Sequence, residues 1–258
     1  MSPPSNLLNT RFLHVWRRNL LVWRKLAIPS VLGNLADPLL YMVGLGYGLG
    51  SMLPQMQGVS YVAFLAGGVV CSSTMMTASF EAMYSAFSRM HVQRTWDAII
   101  NAPLTLDDVV LGEWVWAASK SVLSGCAVLV VASALGLVGS ALALLILPVI
   151  ALTGLVFAGL GLIITACSPS YDFFMYYFTL AITPMMLLCG VFFPLEQLPV
   201  LAQMAAQLLP LTHAVALSRP LMNGMLPDQA WLHGLVLLVY AGVSYGVARQ
   251  LLIKRILK

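Results

Sequence analysis

The chain has 258 residues, of which 60% are hydrophobic and only 9% charged, with a formal net charge of +4. Soluble domains carry roughly 45–50% apolar and about 25% charged residues, so a water-facing globule is excluded. Also excluded are a disordered chain, which lacks apolar residues, and a small, cysteine-dense secreted scaffold.

The reading is an all-α membrane protein forming one transmembrane domain: an interfacial segment over 1–29, six spans over 30–252 and a cytoplasmic tail over 253–258. Residues 1–29 carry charges throughout in place of the apolar core of a cleavable signal peptide, so the first span is expected to be retained. At 100° per residue, 8–27 places Arg11, His14, Arg17, Arg18, Arg24 and Lys25 on one arc and Phe12, Val15, Trp16, Leu20, Val22 and Trp23 on the other. A basic face opposite an aromatic one predicts a helix lying in the membrane interface, Trp16 and Trp23 at headgroup depth. Pro29 and Gly33 are expected to allow the turn into the first span.

A span needs about 20 mostly apolar residues, and six stretches qualify: 30–50, 59–83, 109–138, 142–166, 173–193 and 231–252. Asp37 in the first is costly in lipid; it either lines a polar path or sits near the inner end, satisfied by backbone donors or a nearby arginine. Gly44, Gly46, Gly48 and Gly50 form two interleaved GxxxG pairs, a helix-packing pattern. Glu81, and Glu113 with Lys120, are expected to form ion pairs or water-facing contacts near the inner surface. The four cysteines, Cys71, Cys126, Cys167 and Cys189, lie in apolar runs without CxxC spacing and read as small buried hydrophobes. The polar and aromatic run Tyr171, Asp172, Tyr176 and Tyr177 reads as an interfacial belt in preference to a substrate contact.

The one sizeable inner loop, 85–111, contains a short amphipathic stretch over 93–102. Trp96, Ile99 and Ile100 recur there at helical spacing, with Arg94, Asp97 and Asn101 facing elsewhere. Pro103 ends the stretch, and Thr105 is placed to cap the next helix with Asp107 and Asp108 in its first turn. From composition the short helix is either a docking knob or a segment packed on headgroups. The outer connection, 194–228, holds two apolar pieces, 199–209 and 212–226, each too short to span. They either dip back into the membrane, which requires protein or water around the broken backbone, or lie on its outer surface.

Twelve of the 13 basic residues fall on the side of the two termini and the 85–111 loop, or near it, with Arg219 alone opposite. The positive-inside rule then puts both termini in the cytoplasm. The basic balance reads as topology, not as nucleic-acid binding. No HExxH, GxSxG or other catalytic or zinc spacing occurs around His14, His91, His213 and His233, and no catalytic or metal residue is assigned. There is no GxxxxGK[ST] phosphate loop. Against a secondary transporter or channel, the alternative reading, stand the sparse midplane charges and the absence of a detectable internal repeat.

Several stretches together resemble the permease subunit of ABC-2 type exporters, in the branch typified by the nodulation-factor (lipo-oligosaccharide) export permease. They are Asn34-Leu-Ala-Asp37-Pro38-Leu-Leu-Tyr41, Met76-Thr-Ala-Ser-Phe-Glu81, Arg89-Met-His-Val-Gln-Arg94-Thr-Trp, Leu111-Gly-Glu113-Trp, Gly190-Val-Phe-Phe-Pro194 and Leu209-Pro-Leu-Thr-His213. The resemblance implies a homodimer in the bacterial inner membrane, powered by two copies of a separate ATPase that binds ATP and Mg, with no cofactor on this chain. It implies that Gln93, Arg94, Thr95, Trp96, Asp97, Ile99 and Ile100 belong to a coupling helix seated on that ATPase, and that the cargo is an amphiphile such as a lipo-oligosaccharide, glycolipid or hydrophobic small molecule. Asp37 and Tyr41 are the expected path residues. Phe192, Phe193, Glu196 and His213 are expected to form an outer gate.

Overall fold

The computed structural model describes residues 10–53 and 55–256. Among them are five helices long and apolar enough to cross a membrane: α2 (Ala27–Gly50), α3 (Tyr61–Val92), α5 (Leu106–Ala134), α6 (Ala141–Cys167) and α10 (Ala230–Ile256). Around them lie α1 (Phe12–Arg24), the short loop helix α4 (Thr95–Ile100), α7 (Phe173–Leu188), α8 (Val200–Gln207) and α9 (Pro210–Met222). Helices α8 and α9 meet at 90° and count as a sixth crossing only if taken as one bent unit. Fold class is as expected, an all-α multi-span membrane protein.

The chain turns out of α1 at Lys25–Leu26, where Leu26 has φ −119° and ψ 18°. This corrects the expected bend at Pro29 and Gly33. Pro29 sits in the first turn of α2, where its missing N–H is tolerated. Further along, Pro38 removes a donor from the ladder and a π-helical stretch follows over Tyr41–Leu45. A two-residue hairpin then pairs Gln55 with Ser60 and Met56 with Val59; its turn residues Gln57 and Gly58 have φ +50° and +80°, the left-handed pair that tight hairpins use.

Helix α3 runs nine residues past the expected end at Met83, through π-helical turns at Glu81–Ser85 and Ser88–Val92. Hydropathy ends a span at its polar residues; the backbone continues because Glu81 and Arg89 find partners inside the protein. Thr105 caps α5 as expected: its Oγ1 accepts from Asp108 N–H at 3.3 Å, while Asp108 Oδ2 accepts from Thr105 N–H at 2.9 Å. Asp107 is held by Arg249 of α10 through two bonds of 2.8 and 2.7 Å.

The core is the packing of α3, α5 and α6, with α9 against α3 and α6, and α10 against α6. Phe64, Leu65, Met75, Trp116, Ile150 and Phe157 fill it. Close approach depends on missing side chains. A Cβ on Gly68 would lie 2.8 Å from Val191 Cα and O, and one on Gly67 would lie 2.9 Å from Arg219 Cα, so these glycines let the outer turn and α9 touch α3 backbone to backbone. Helix α2 is peripheral; only 11% of its apolar window is buried. A Cβ on Gly46 would lie 3.3 Å from Val62, whereas one on Gly44 or Gly48 would meet nothing within 4 Å among the described residues, so one GxxxG face is used within the subunit and the other lies open.

Helix α7 is shorter than the expected fifth span, 173–193. It ends at Leu188 and is about 24 Å long at about 1.5 Å per residue, short of the roughly 30 Å hydrocarbon core. The chain reverses at Gly190, φ +75°. Two of the cysteines also depart from expectation: Cys71 and Cys189 are buried, but Cys126 is half-buried and Cys167 exposed.

Candidate functional site

The C-terminal part of α3 and the N-terminal half of α5 hold four charged side chains that hydropathy alone would forbid. Arg89 donates from Nε to Glu113 Oε1 at 2.9 Å and Oε2 at 3.1 Å, from Nη2 to Glu113 Oε2 at 2.5 Å, and from Nη1 to Glu81 Oε1 at 2.9 Å. Lys120 Nζ donates to Glu81 Oε2 at 2.7 Å. Two tryptophans complete the shell: Trp116 Nε1 donates to Glu81 Oε1 at 2.8 Å and Trp96 Nε1 to Glu113 Oε1 at 3.2 Å. Two acids and two bases cancel, and each carboxylate takes donors from several sides, the condition under which buried ions are tolerated. Glu113 therefore pairs with Arg89 and Lys120 with Glu81; Glu113 and Lys120 do not pair with each other.

This network reaches the loop helix through Trp96, which is fully buried. The bulky side of this helix faces the bundle: Trp96 anchors α4 there, and Ile99 and Ile100 are half-buried against the core. Gln93, Arg94 and Asp97 are exposed and Thr95 is half-buried, so the outward face is polar. Arg94 takes a left-handed conformation, φ +48°, which breaks α3 from α4 and sets the angle of the loop helix. Thr95 Oγ1 accepts from Arg18 Nη2 at 3.3 Å.

Helix α1 lies along α5, not only on lipid. Trp16 Nε1 donates to Ser119 Oγ at 3.1 Å and Trp23 Nε1 to Ser30 Oγ at 3.0 Å. Both rings meet Trp116 edge-on, at 6.5 and 6.1 Å, so the aromatic face expected among headgroups packs on the protein. Gly112 makes room: a Cβ there would lie 2.6 Å from Val15 Cβ.

The membrane-embedded residues sort into two groups. Asp37 and Tyr41 share a cleft of about 260 Å³ between α2 and α3, lined also by Asn34, Ser73 and Thr77 and closed at one side by Met186. Asp37 is exposed, and no cation pairs with it among the described residues, so of the alternatives the nearby arginine is not its partner. The Tyr41 ring meets Phe192 edge-on at 5.5 Å, and Phe192 carbonyl accepts from Tyr61 Oη at 3.1 Å.

The four expected gate residues are not in one cluster. Phe193 is half-buried and Glu196 exposed on a short 3₁₀ turn. His213 on α9 instead faces His233 of α10, Nδ1 to Nδ1 at 2.8 Å, with its Nε2 at 3.0 Å from Gln207 carbonyl. Sequence reasoning missed the anchor of this region. Arg219 lies over the Phe64 ring at 3.6 Å and donates to the Phe64 and Gly190 carbonyls, tying α9 to α3 and to the turn after α7. The signal was present in the sequence: a lone basic residue among outer apolar helices needs a partner. Likewise two acids and two bases within apolar stretches had to meet.

No group of three or more metal-ligating side chains occurs among the described residues. The sequence matches the ABC-2 type transporter family over residues 10–223. Nodulation protein J of Rhizobium leguminosarum bv. viciae is 49% identical over 96% of this chain and 95% of its own length. Nodulation protein J of Bradyrhizobium diazoefficiens is 49% identical over 99% and 97%. The inner membrane transport permease YadH of Escherichia coli is 24% identical over 80% and 76%. The chain thus belongs to the ABC-2 type transporter family, as a non-catalytic membrane permease subunit.

Proposed function

We propose that this chain is the permease of an ATP-driven exporter that moves an amphiphile, of lipo-oligosaccharide or glycolipid type, outward across a bacterial inner membrane. The relatives named nodulation protein J and the inner membrane permease support the assignment. In this reading both termini are cytoplasmic, α1 lies at the interface, α7 with the turn after it makes a shallow fifth crossing, and α8–α9 dip back from the outer face. Burial of α9 against α3, α6 and α10 supplies the protein cover that a broken segment needs in lipid. Two copies of the chain pair through the open side of α2, where Gly44 and Gly48 face outward, and two ATPase subunits bind ATP and Mg below them.

The observation that carries the reading is the rigid link from α4 into the spans. A push on the exposed Arg94–Asp97 edge is transmitted by Trp96 to Glu113, and from there through Arg89 to α3. Asp97 is exposed and makes no side-chain bond among the described residues. Asp97→Arg therefore leaves the unfolding temperature unchanged while lowering export by at least about tenfold, since like charges at an interface disfavour docking. Export by vesicles holding the permease and its co-purified ATPase measures this; wild-type export by Asp97→Arg sinks the coupling assignment. Trp96→Ala is a different experiment, because emptying that buried site costs about 3–5 kcal/mol and loosens the fold itself.

The cleft at Asp37 and Tyr41 is the path for the cargo's polar part, with acyl chains left in lipid. Asp37→Leu removes no ion pair, so stability holds, while export falls by about tenfold, equivalent to about 1.4 kcal/mol of barrier. Undiminished export in that variant places the cargo elsewhere.

A further inference from the structure

A second cavity, of about 520 Å³, opens between α1, the inner ends of α3 and α5, and the start of the α4 loop. Its volume falls within the range of small-molecule sites, and its walls are rich in donors. The charges there do not balance. Arg89 and Lys120 are matched by Glu113 and Glu81, as described above, but Arg18 is left over. Its guanidinium donates only to neutral oxygens, Asn19 Oδ1 at 3.0 Å and Thr95 Oγ1 at 3.3 Å; no carboxylate pairs with it among the described residues.

Asn19 supplies an independent observation. It is 3% exposed and lines the cavity. Because a guanidinium can only donate, the bond to Arg18 fixes the amide oxygen on that side and leaves Nδ2 as the free end. Nδ2 has no hydrogen-bond partner among the described residues. Buried donors are nearly always satisfied, so this one points to an acceptor from outside the chain. A water would satisfy the amide but would leave the Arg18 charge unmatched. An oxyanion satisfies both.

The cavity also has an apolar exit. Val22 and Leu26 line it and are 54% and 63% exposed, at the bend where α1 meets the first span. A ligand whose anionic head sits at Arg18 and Asn19 can therefore leave its chains along an aliphatic surface toward lipid. Basic pockets between helices on the cytoplasmic side are where anionic headgroups bind. Burial and the charge of Arg89 work against the Arg18 charge and outweigh the nearby Glu113 carboxylate, which favours it, so its pKa is held below the ordinary arginine value, and an anion relieves that opposition.

We propose that this cavity binds the phosphate of an anionic membrane phospholipid, with Arg18 as counter-charge and Asn19 Nδ2 donating to a phosphate oxygen. The site is separate from the Asp37 cleft and does not depend on the identity of the cargo. Through the Arg18–Thr95 bond, the bound headgroup braces the first residue of α4.

Native mass spectrometry of the full-length protein, with phosphatidylglycerol or phosphatidylcholine of the same chain length, tests this. Phosphatidylglycerol is expected to bind at least about tenfold more tightly, a difference of about 1.4 kcal/mol. Arg18→Gln abolishes the preference, Arg18→Lys retains it, and Asn19→Leu weakens phosphatidylglycerol binding, since the donor to the phosphate oxygen is gone. Inorganic phosphate at millimolar concentration separates the sources: competition assigns the site to the oxyanion itself, and failure to compete assigns it to the lipid-borne headgroup. Equal binding of the two lipids overturns the proposal, as does a preference that survives both Arg18→Gln and Asn19→Leu. Loss in Arg18→Lys as complete as in Arg18→Gln also overturns it, because the charge is then not what binds.

Discussion

Replacing Glu113 by alanine lowers the unfolding temperature of the solubilised protein by roughly 6–20 °C, the equivalent of about 3–5 kcal/mol for a chain of this size. Three contacts from Arg89 and one from Trp96 converge on this carboxylate. Its removal leaves a buried guanidinium half-paired and an indole N–H without an acceptor, and such orphaned groups cost far more than the pair contributes. A companion variant separates stability from coupling. Arg89→Met with Glu113→Leu removes both charges together, so the fold recovers most of the loss, while the rigid connection to Trp96 is gone and export stays low. A thermal melt and an export assay on the same preparations decide it. A melt for Glu113→Ala within a degree or two of wild type shows that the network is not buried as described; full export in the double variant shows that it transmits nothing.

Gly68→Val is the second large effect. The added Cβ meets the backbone of Val191 at 2.8 Å, and backbone cannot swing aside as a side-chain tip can. Overpacking of this kind costs about 1–3 kcal/mol and occasionally more. Here it also forces apart α3, the Gly190 turn and α9, the elements that Arg219 ties together. The expected result is a fall of at least about 5 °C in unfolding temperature with loss of export. Gly33→Val is the internal control, since nothing lies within 4 Å of a Cβ there, and it leaves the melt unchanged. Equal melts for the two variants mean that the close approach at Gly68 is not a constraint on the fold.

The contrast between these glycines shows where the sequence is informative and where it stops. Most spans were legible because lipid demands long apolar helices. The Thr105 cap was legible because its partner, Asp108, lies three residues away. Local signals of this kind survive translation into structure. The extent of α3 was not legible, because its last turns carry Ser85, Ser88, Arg89 and His91, and what lets them continue as helix comes from α5, where Glu113 takes Arg89.

The site residues divide the same way. The segment 93–102 was readable as a short helix from its spacing and from Pro103, but spacing only grouped Trp96 with Ile99 and Ile100 on one apolar side. Which way that indole points depends on Glu113, seventeen residues on and in another helix. Asp37 and Tyr41 were singled out from one helix; that they share a cleft with Ser73 and Thr77 follows from how α2 crosses α3. The outer gate was assembled from residues near one another in sequence, and the fold sends His213 to His233 and Phe192 to Tyr41.

By itself, then, the sequence determined that this is a multi-span membrane protein, where most of its helices lie, and which family it resembles. Those properties come from composition, hydrophobic length and local capping, all of which act within one segment against a uniform solvent. Only the tertiary structure decided which charges neutralise one another, that the loop helix is anchored by Trp96, and that Arg18 and Asn19 are left facing a cavity. The physical reason is that a buried ion or donor is satisfied by groups distant along the chain, and their meeting is fixed by helix crossings that no single segment encodes.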